Sequence, residues 1–178
     1  APAMIGIIVD GTGTDIDWTN STSILTATWS GFSDTLSGIQ KYEYAIGSSS
    51  GAADVVDWTN NTTDTSVTKA GLTLSNGTTY YLSVRAADNV GNVSTIITSD
   101  GITIDTDVPI ISSVIEGSTT TDIDYQNSDT TLIVVWTGSD TASGIAQYEY
   151  ALGTAAAASN TVAWTNAGTF TADTLTGL

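Results

Sequence analysis

Apolar and polar residues alternate along most of this chain, and the period is two. Ile24–Trp29 places Leu25, Ala27 and Trp29 on one face. Further along, Tyr42, Tyr44 and Ile46 share a face, and Tyr80, Leu82, Val84 and Ala86 do the same. One apolar face with polar residues between predicts antiparallel strands, packed on one side and solvated on the other. Thr, Val, Ile, Trp and Tyr are abundant, as strands favour. Asn76-Gly77 and Asn89-Val-Gly-Asn92 predict turns, because Asn and Gly tolerate positive φ. No stretch has a 3.6-residue period; Ala155–Ala158 reads equally as a helical turn or a loop.

The pattern then repeats. Trp29–Gly47 reads WSGFSDTLSGIQKYEYAIG, and Trp136–Gly153 reads WTGSDTASGIAQYEYALG. The offset is 107 residues at the Trp pair and 106 at Tyr42 and Tyr148, because the second copy has one loop residue fewer. Asp15-Ile-Asp-Trp18 matches Asp122-Ile-Asp-Tyr125, Trp58-Thr-Asn60 matches Trp164-Thr-Asn166, and Pro2 matches Pro109. The second copy's inward set becomes Leu132, Val134 and Trp136, then Tyr148, Tyr150 and Leu152. Such a period exceeds the ~20–50 residues of a solenoid unit and suits tandem domains. We expect one complete repeat over 1–107 and a second over 108–178. Gly177-Leu178 matches Gly71-Leu72, so the second copy would lack its last two strands. Chain beyond Leu178, local disorder or a strand from another molecule would each account for that.

Seven or so short strands in about 100 residues, with no long crossover, predict a Greek-key β-sandwich. The fold class expected is therefore all-β, as tandem Greek-key sandwiches. Leu74-Ser-Asn-Gly-Thr-Thr-Tyr80 followed by Tyr-Leu-Ser-Val-Arg-Ala86 resembles the E–F corner and F strand of a fibronectin type III-like domain, with Tyr80 as the tyrosine-corner residue. Asn76 stands where Pro is usual, and the region between strands C and E is longer, so the resemblance is to sandwiches of fibronectin type III-like or bacterial Ig-like kind.

Charge and composition narrow the function. Nineteen acidic and three basic residues in 178 give a net charge of −16, which disfavours nucleic acid and anionic membrane surfaces. With neither His nor Cys, imidazole acid–base chemistry, thiol nucleophiles, disulfides and the usual zinc sites are excluded. Charged residues are only 12% against 40% hydrophobic, so the chain can build a core. No apolar run approaches the roughly 20 residues that span a bilayer, so direct membrane insertion is not expected. Carboxylate pairs could serve glycoside hydrolysis, but no pair is marked by position and exposed aromatics are not gathered beside one. We expect no enzyme.

Strand order in a sandwich gathers Asp15 and Asp17, Asp105 and Asp107, and Asp140 at the boundary between repeats. Hard carboxylate oxygens suit Ca²⁺, which takes six to eight of them. Two readings stand: a structural calcium junction, or solvated acidic loops in which Asp is a turn former. Asp88–Asn92, close to Asp34, offers a second acidic turn with the same two readings. Trp18 reads as the apolar side of its strand. Trp58 and Trp164 read as packing at the sheet edge, or as a carbohydrate-stacking surface.

The full pattern, W-x-G-x-SD-x-x-SGI-x-x-YEYA-[IL]-G, then W-T-N, NGTTYYLSVRAADNVGN and SDGITIDTDVP, resembles the tandem repeats of very large Bacteroidetes cell-surface adhesins. The giant gliding-motility adhesin exported by the type IX system is of this kind. The resemblance implies a secreted, cell-surface filament whose partners are neighbouring repeats of the same chain, and beyond them surface polysaccharide or protein ligands. It also implies O-glycosylation at Asp-Thr motifs, here Thr35, Thr141 and Thr174, although a Thr-rich chain supplies such motifs by chance. The alternatives are a carbohydrate- or protein-binding module and accessory repeats of a secreted hydrolase. The near-identical loops FSDTLSG and SDTASG favour interchangeable spacers over binders.

Overall fold

The computed structural model describes residues 1–117 and 121–178, without the side chains of Met4 and Ile5. The described residues are strands and connecting loops, with no helix long and apolar enough to cross a membrane. They divide into two compact units, Ala1–Thr106 and Asp107–Leu178.

In the first unit, one layer holds β1 (Ala3–Asp10), β3 (Ile24–Ser33) and β6 (Ser66–Ala70), in the order β1-β3-β6. The facing layer contains β5 (Val56–Asn60), β4 (Ile39–Gly47), β7 (Thr79–Asp88), β8 (Ile97–Thr98), β9 (Ile102–Ile104) and β2 (Trp18–Thr19). There β4 pairs β5 on one side and β7 on the other, while β8 and β9 pair β7. This is the Greek-key sandwich expected from the alternation.

The inward residues of both layers make one core. It contains Leu25, Ala27 and Trp29 from β3, Tyr42, Tyr44 and Ile46 from β4, and Tyr80, Leu82, Val84 and Ala86 from β7. Trp29 meets Tyr42 edge-on at 5.9 Å, and Phe32 meets the same ring at 5.4 Å, both geometries favoured by aromatic quadrupoles. The indole N–H of Trp29 is buried without a hydrogen-bond partner, and so is that of Trp136, its copy. Each such group costs about 1–3 kcal/mol, which the apolar burial of the ring must exceed. The corner residue behaves as expected: Tyr80 Oη accepts the Ser75 N–H at 3.0 Å, and Gly77 turns at φ 72°.

Trp18 departs from expectation. Its strand is two residues long, pairs in parallel with β9 at a sheet edge, and leaves the ring 40% exposed. Trp58 is half-buried because the Arg85 guanidinium lies 4.2 Å above its ring.

The second unit has β10 (Ile110–Glu116), β11 (Thr131–Ser139) and β14 (Ala172–Thr176) in one sheet. β12 (Tyr148–Leu152) and β13 (Val162–Gly168) form another. Pairing follows the first copy closely: Glu43↔Asn60, Tyr44↔Thr59 and Ile46↔Val56 become Glu149↔Asn166, Tyr150↔Thr165 and Leu152↔Val162. The loop after β4 and the loop after β12 share a geometry too. A Cβ on Gly47 would lie 2.5 Å from the Ala52 backbone, and one on Gly153 would lie 2.4 Å from Ala158. Ala155–Ala158 is a turn, with Ala157 at φ 61°.

Candidate functional site

Three clusters that include acidic residues stand out among the described residues. The tightest lies where β1 ends. Ile8 and Asp10 share the inward parity of β1, so the strand that buries Ile8 also buries Asp10. The Asp10 backbone N–H donates to Asp15 Oδ1 at 2.7 Å, and the Gly101 N–H donates to Asp10 Oδ2 at 3.2 Å. Carboxylate oxygens of Asp10, Asp15 and Asp100 all lie within 4.8 Å of one another. Burial pushes the Asp10 carboxyl up; bonds from Ser99 and Gly101 oppose this, and the Asp15 and Asp100 charges reinforce it, to a pKa of about 6. The motif is partly repeated in the second unit, where the Glu116 N–H donates to Asp122 Oδ1. There burial, and then the Asp122 carboxylate, raise Glu116 above the usual range.

The second group lies in the loop after β3 and the turn after β7. Asp34 Oδ1 accepts from the N–H groups of Leu36, Ser37 and Gly38. The Ser37 N–H leads in holding its carboxyl below the ordinary range, against a smaller desolvation effect. Asp140 braces its own loop in the same way, through Ala142 and Gly144. Asp88 is fully buried. Burial alone would raise it, but the Asn92 side chain and the N–H groups of Asn92 and Val90 outweigh that and hold it at about 2. The Asn89 side chain donates to the Ser37 carbonyl at 2.6 Å, tying the two loops together. The Ala1 ammonium lies 3.7 Å from both Asp34 and Asp88.

The remaining expected ligands are placed unit by unit. Asp15 and Asp17 are exposed and Asp105 is buried, all in the first unit. Asp107 and Asp140 line one hollow of about 310 Å³ in the second, with Ser139 and Thr141. The carboxylate triad among the described residues takes Asp15 from the expected set and adds Asp10 and Asp100. Sequence reading missed Asp10, although its signal was present: a carboxylate at inward parity two residues after Ile8, with Glu116 as its copy. Thr35, Thr141 and Thr174 are all exposed, the first two in loops and the third in β14.

A third constellation lies on the outer face of β4 and β7. Arg85 Nε donates to Glu43 Oε2 at 2.7 Å, and Lys41 Nζ donates to Glu43 Oε1 at 2.6 Å. Lys41 leads in lowering the Glu43 carboxyl; desolvation opposes it, and Arg85 adds to the lowering. With Arg85 stacked over Trp58, this ring is a braced surface rather than an open platform.

No protein-family model matches the sequence, and no curated protein sequence matches it. Among solved structures, the chain is similar to the crystal structure of the chicken CNTN1 FN1–FN3 domains, at 17% identity and a TM-score of 0.44. That match covers 91% of this chain and 55% of the other, so the present chain spans about half its length. The chain is all-β, and its strands form two-layered β-sandwich sheets.

Proposed function

We propose that this chain is a pair of structural spacer repeats from an extracellular, filamentous cell-surface adhesin, serving surface adhesion or gliding. The observation that supports it is the matched use of Asp34 and Asp140. Each spends one carboxylate oxygen on the N–H groups of its own loop, in loops of almost the same sequence. Loops that brace themselves alike in each copy suit repeats that bear load and hold distance; binders diversify such loops. Pro109 stiffens the segment in which it lies. Antibodies to residues 1–107 should label intact cells of the source organism. Labelling only after permeabilisation would overturn the location, and specific capture of a glycan by the isolated fragment would overturn the spacer role.

The proposal includes structural Ca²⁺. Asp10, Asp15 and Asp100 supply hard oxygens at mutual distances a divalent ion can bridge, and a cation there would relieve the cost of a charged, buried Asp10. At neutral pH, calcium at about 1 mM, the range of extracellular modules, should raise the unfolding temperature of the first unit. Asp100→Asn should remove most of the rise. An unfolding temperature indifferent to calcium and chelator would remove the ion from the proposal.

A further inference from the structure

Asn76-Gly77 is the one Asn-Gly pair in the chain, and it sits at the exposed corner before β7. Gly77 has no side chain to shield its nitrogen, and it turns at φ 72°, a conformation that favours glycine. The pair ties this corner to the last residues of the first unit. The Gly77 N–H donates to the Ile104 carbonyl at 2.8 Å, and the Thr106 N–H donates to Asn76 Oδ1 at 2.9 Å. The Ile104 N–H returns a bond to the Thr78 carbonyl at 3.0 Å. A Pro at this position has no side-chain oxygen to receive Thr106, so the departure from the usual corner residue gives the segment after β9 its anchor.

The same two residues are set up for a reaction. The side-chain amide carbon of an Asn is open to attack by the backbone nitrogen that follows it, and Gly leaves that nitrogen least hindered. The Gly77 nitrogen gives up its proton and bonds to Asn76 Cγ; the Cγ–Nδ2 bond breaks, and ammonia leaves with that proton. Water then opens the resulting succinimide. Opening at Cγ gives aspartate. Opening at the main-chain carbonyl gives isoaspartate, which carries the chain through Cγ and lengthens the backbone by a methylene. The fold opposes the first step, because the Ile104 carbonyl holds the Gly77 proton. The Ser75 N–H bond to Tyr80 Oη braces the same corner, so attack waits on its local opening.

We propose that Asn76 is a deamidation site restrained by the folded corner, and that its isoaspartate product releases residues 104–106 from that corner. Aspartate keeps an acceptor where Oδ1 stood, and with it the bond from Thr106. Isoaspartate moves both that acceptor and the Gly77 N–H, so the two bonds that hold the end of the first unit are lost together. The proposal is independent of the spacer reading.

The test incubates the whole 178-residue chain at mildly alkaline pH, folded and in urea. Asn76 is followed by peptide mass and by methylation with an isoaspartyl methyltransferase. Conversion in the folded chain should be at least about tenfold slower than in urea. Tyr80→Phe should speed it about two- to tenfold in the folded chain and leave the rate in urea unchanged. Hydrogen exchange at the Thr106 amide should be slower in the parent and in Asn76→Asp than in Asn76→Ala and in the isoaspartate form. Equal conversion rates in the folded and unfolded chain would overturn the restraint. Parent-like exchange at Thr106 in the isoaspartate form would overturn the release.

Discussion

The two units use nearly the same residues at the same register and reach different degrees of burial. Tyr42, Tyr44 and Ile46 are buried in the first, while Tyr148, Tyr150 and Leu152 remain half-exposed in the second. Trp29 and Trp136 are both buried, yet Trp58 is half-covered and Trp164 lies open. The difference traces to β7. That strand provides the central inward row Tyr80, Leu82, Val84 and Ala86, the pairing partner of β4, and the Arg that covers Trp58. Alternation therefore assigns which face of a strand is apolar, while burial depends on a partner strand far away in sequence.

The sharpest way to test this comparison is a matched pair of truncations. Ile46→Ala, at a fully buried site, should cost about 2–5 kcal/mol of first-unit stability. Its copy Leu152→Ala should cost less than about half of that, because the side chain is already partly in water. Denaturant unfolding followed by probes in each unit would measure both. Equal losses would mean that the second core is as complete as the first.

Next in size is the buried carboxyl. Asp10 has its folded pKa raised from 3.8 to about 6, so the folded state holds this proton more tightly than the unfolded one. Its contribution is fully present below pH ~4, is lost as pH rises through ~6, and amounts to about 3 kcal/mol. Asp10→Asn, which cannot ionise, should remove this loss between those limits and leave the first unit more stable than the parent at neutral pH without calcium. Unfolding temperatures across that pH range would check it. A parent protein whose first unit gains stability from pH 4 to 6 relative to Asp10→Asn would reverse the sign assigned to Asp10.

Tyr80→Phe removes the acceptor of the Ser75 N–H while keeping the ring, and should cost about 1 kcal/mol. Smallest is Arg85→Ala, which removes the Glu43 pair and the cover of Trp58 for about 0.5–1 kcal/mol. Its informative readout is optical. Quenching of Trp58 by acrylamide should rise toward that of Trp164, measured in chains that keep one of the two indoles.

Much of the fold was legible because its causes are local. Period-two alternation fixed the inward faces of β3, β4 and β7, and the Leu74–Tyr80 corner was readable from its spacing. Trp18 was misread because a two-residue edge strand has too few pairings to bury a ring. Asp10 was missed because a carboxylate at inward parity looks like a strand end unless Ser99, Asp100 and Gly101 are known to lie beside it. Those residues are some 90 positions away, and only the closing of the sandwich brings them there. Asp34 and Asp88 belong to the same lesson: sequence showed acidic turns, and the structure shows which N–H groups each carboxylate holds.

The most direct test is native-state hydrogen exchange of the unmodified chain, comparing residues 42–46 of β4 with residues 148–152 of β12. The account predicts that β4 amides exchange only through unfolding of the whole first unit, while the β12 amides facing its open edge exchange orders of magnitude faster. Equal protection of the two strands would contradict it.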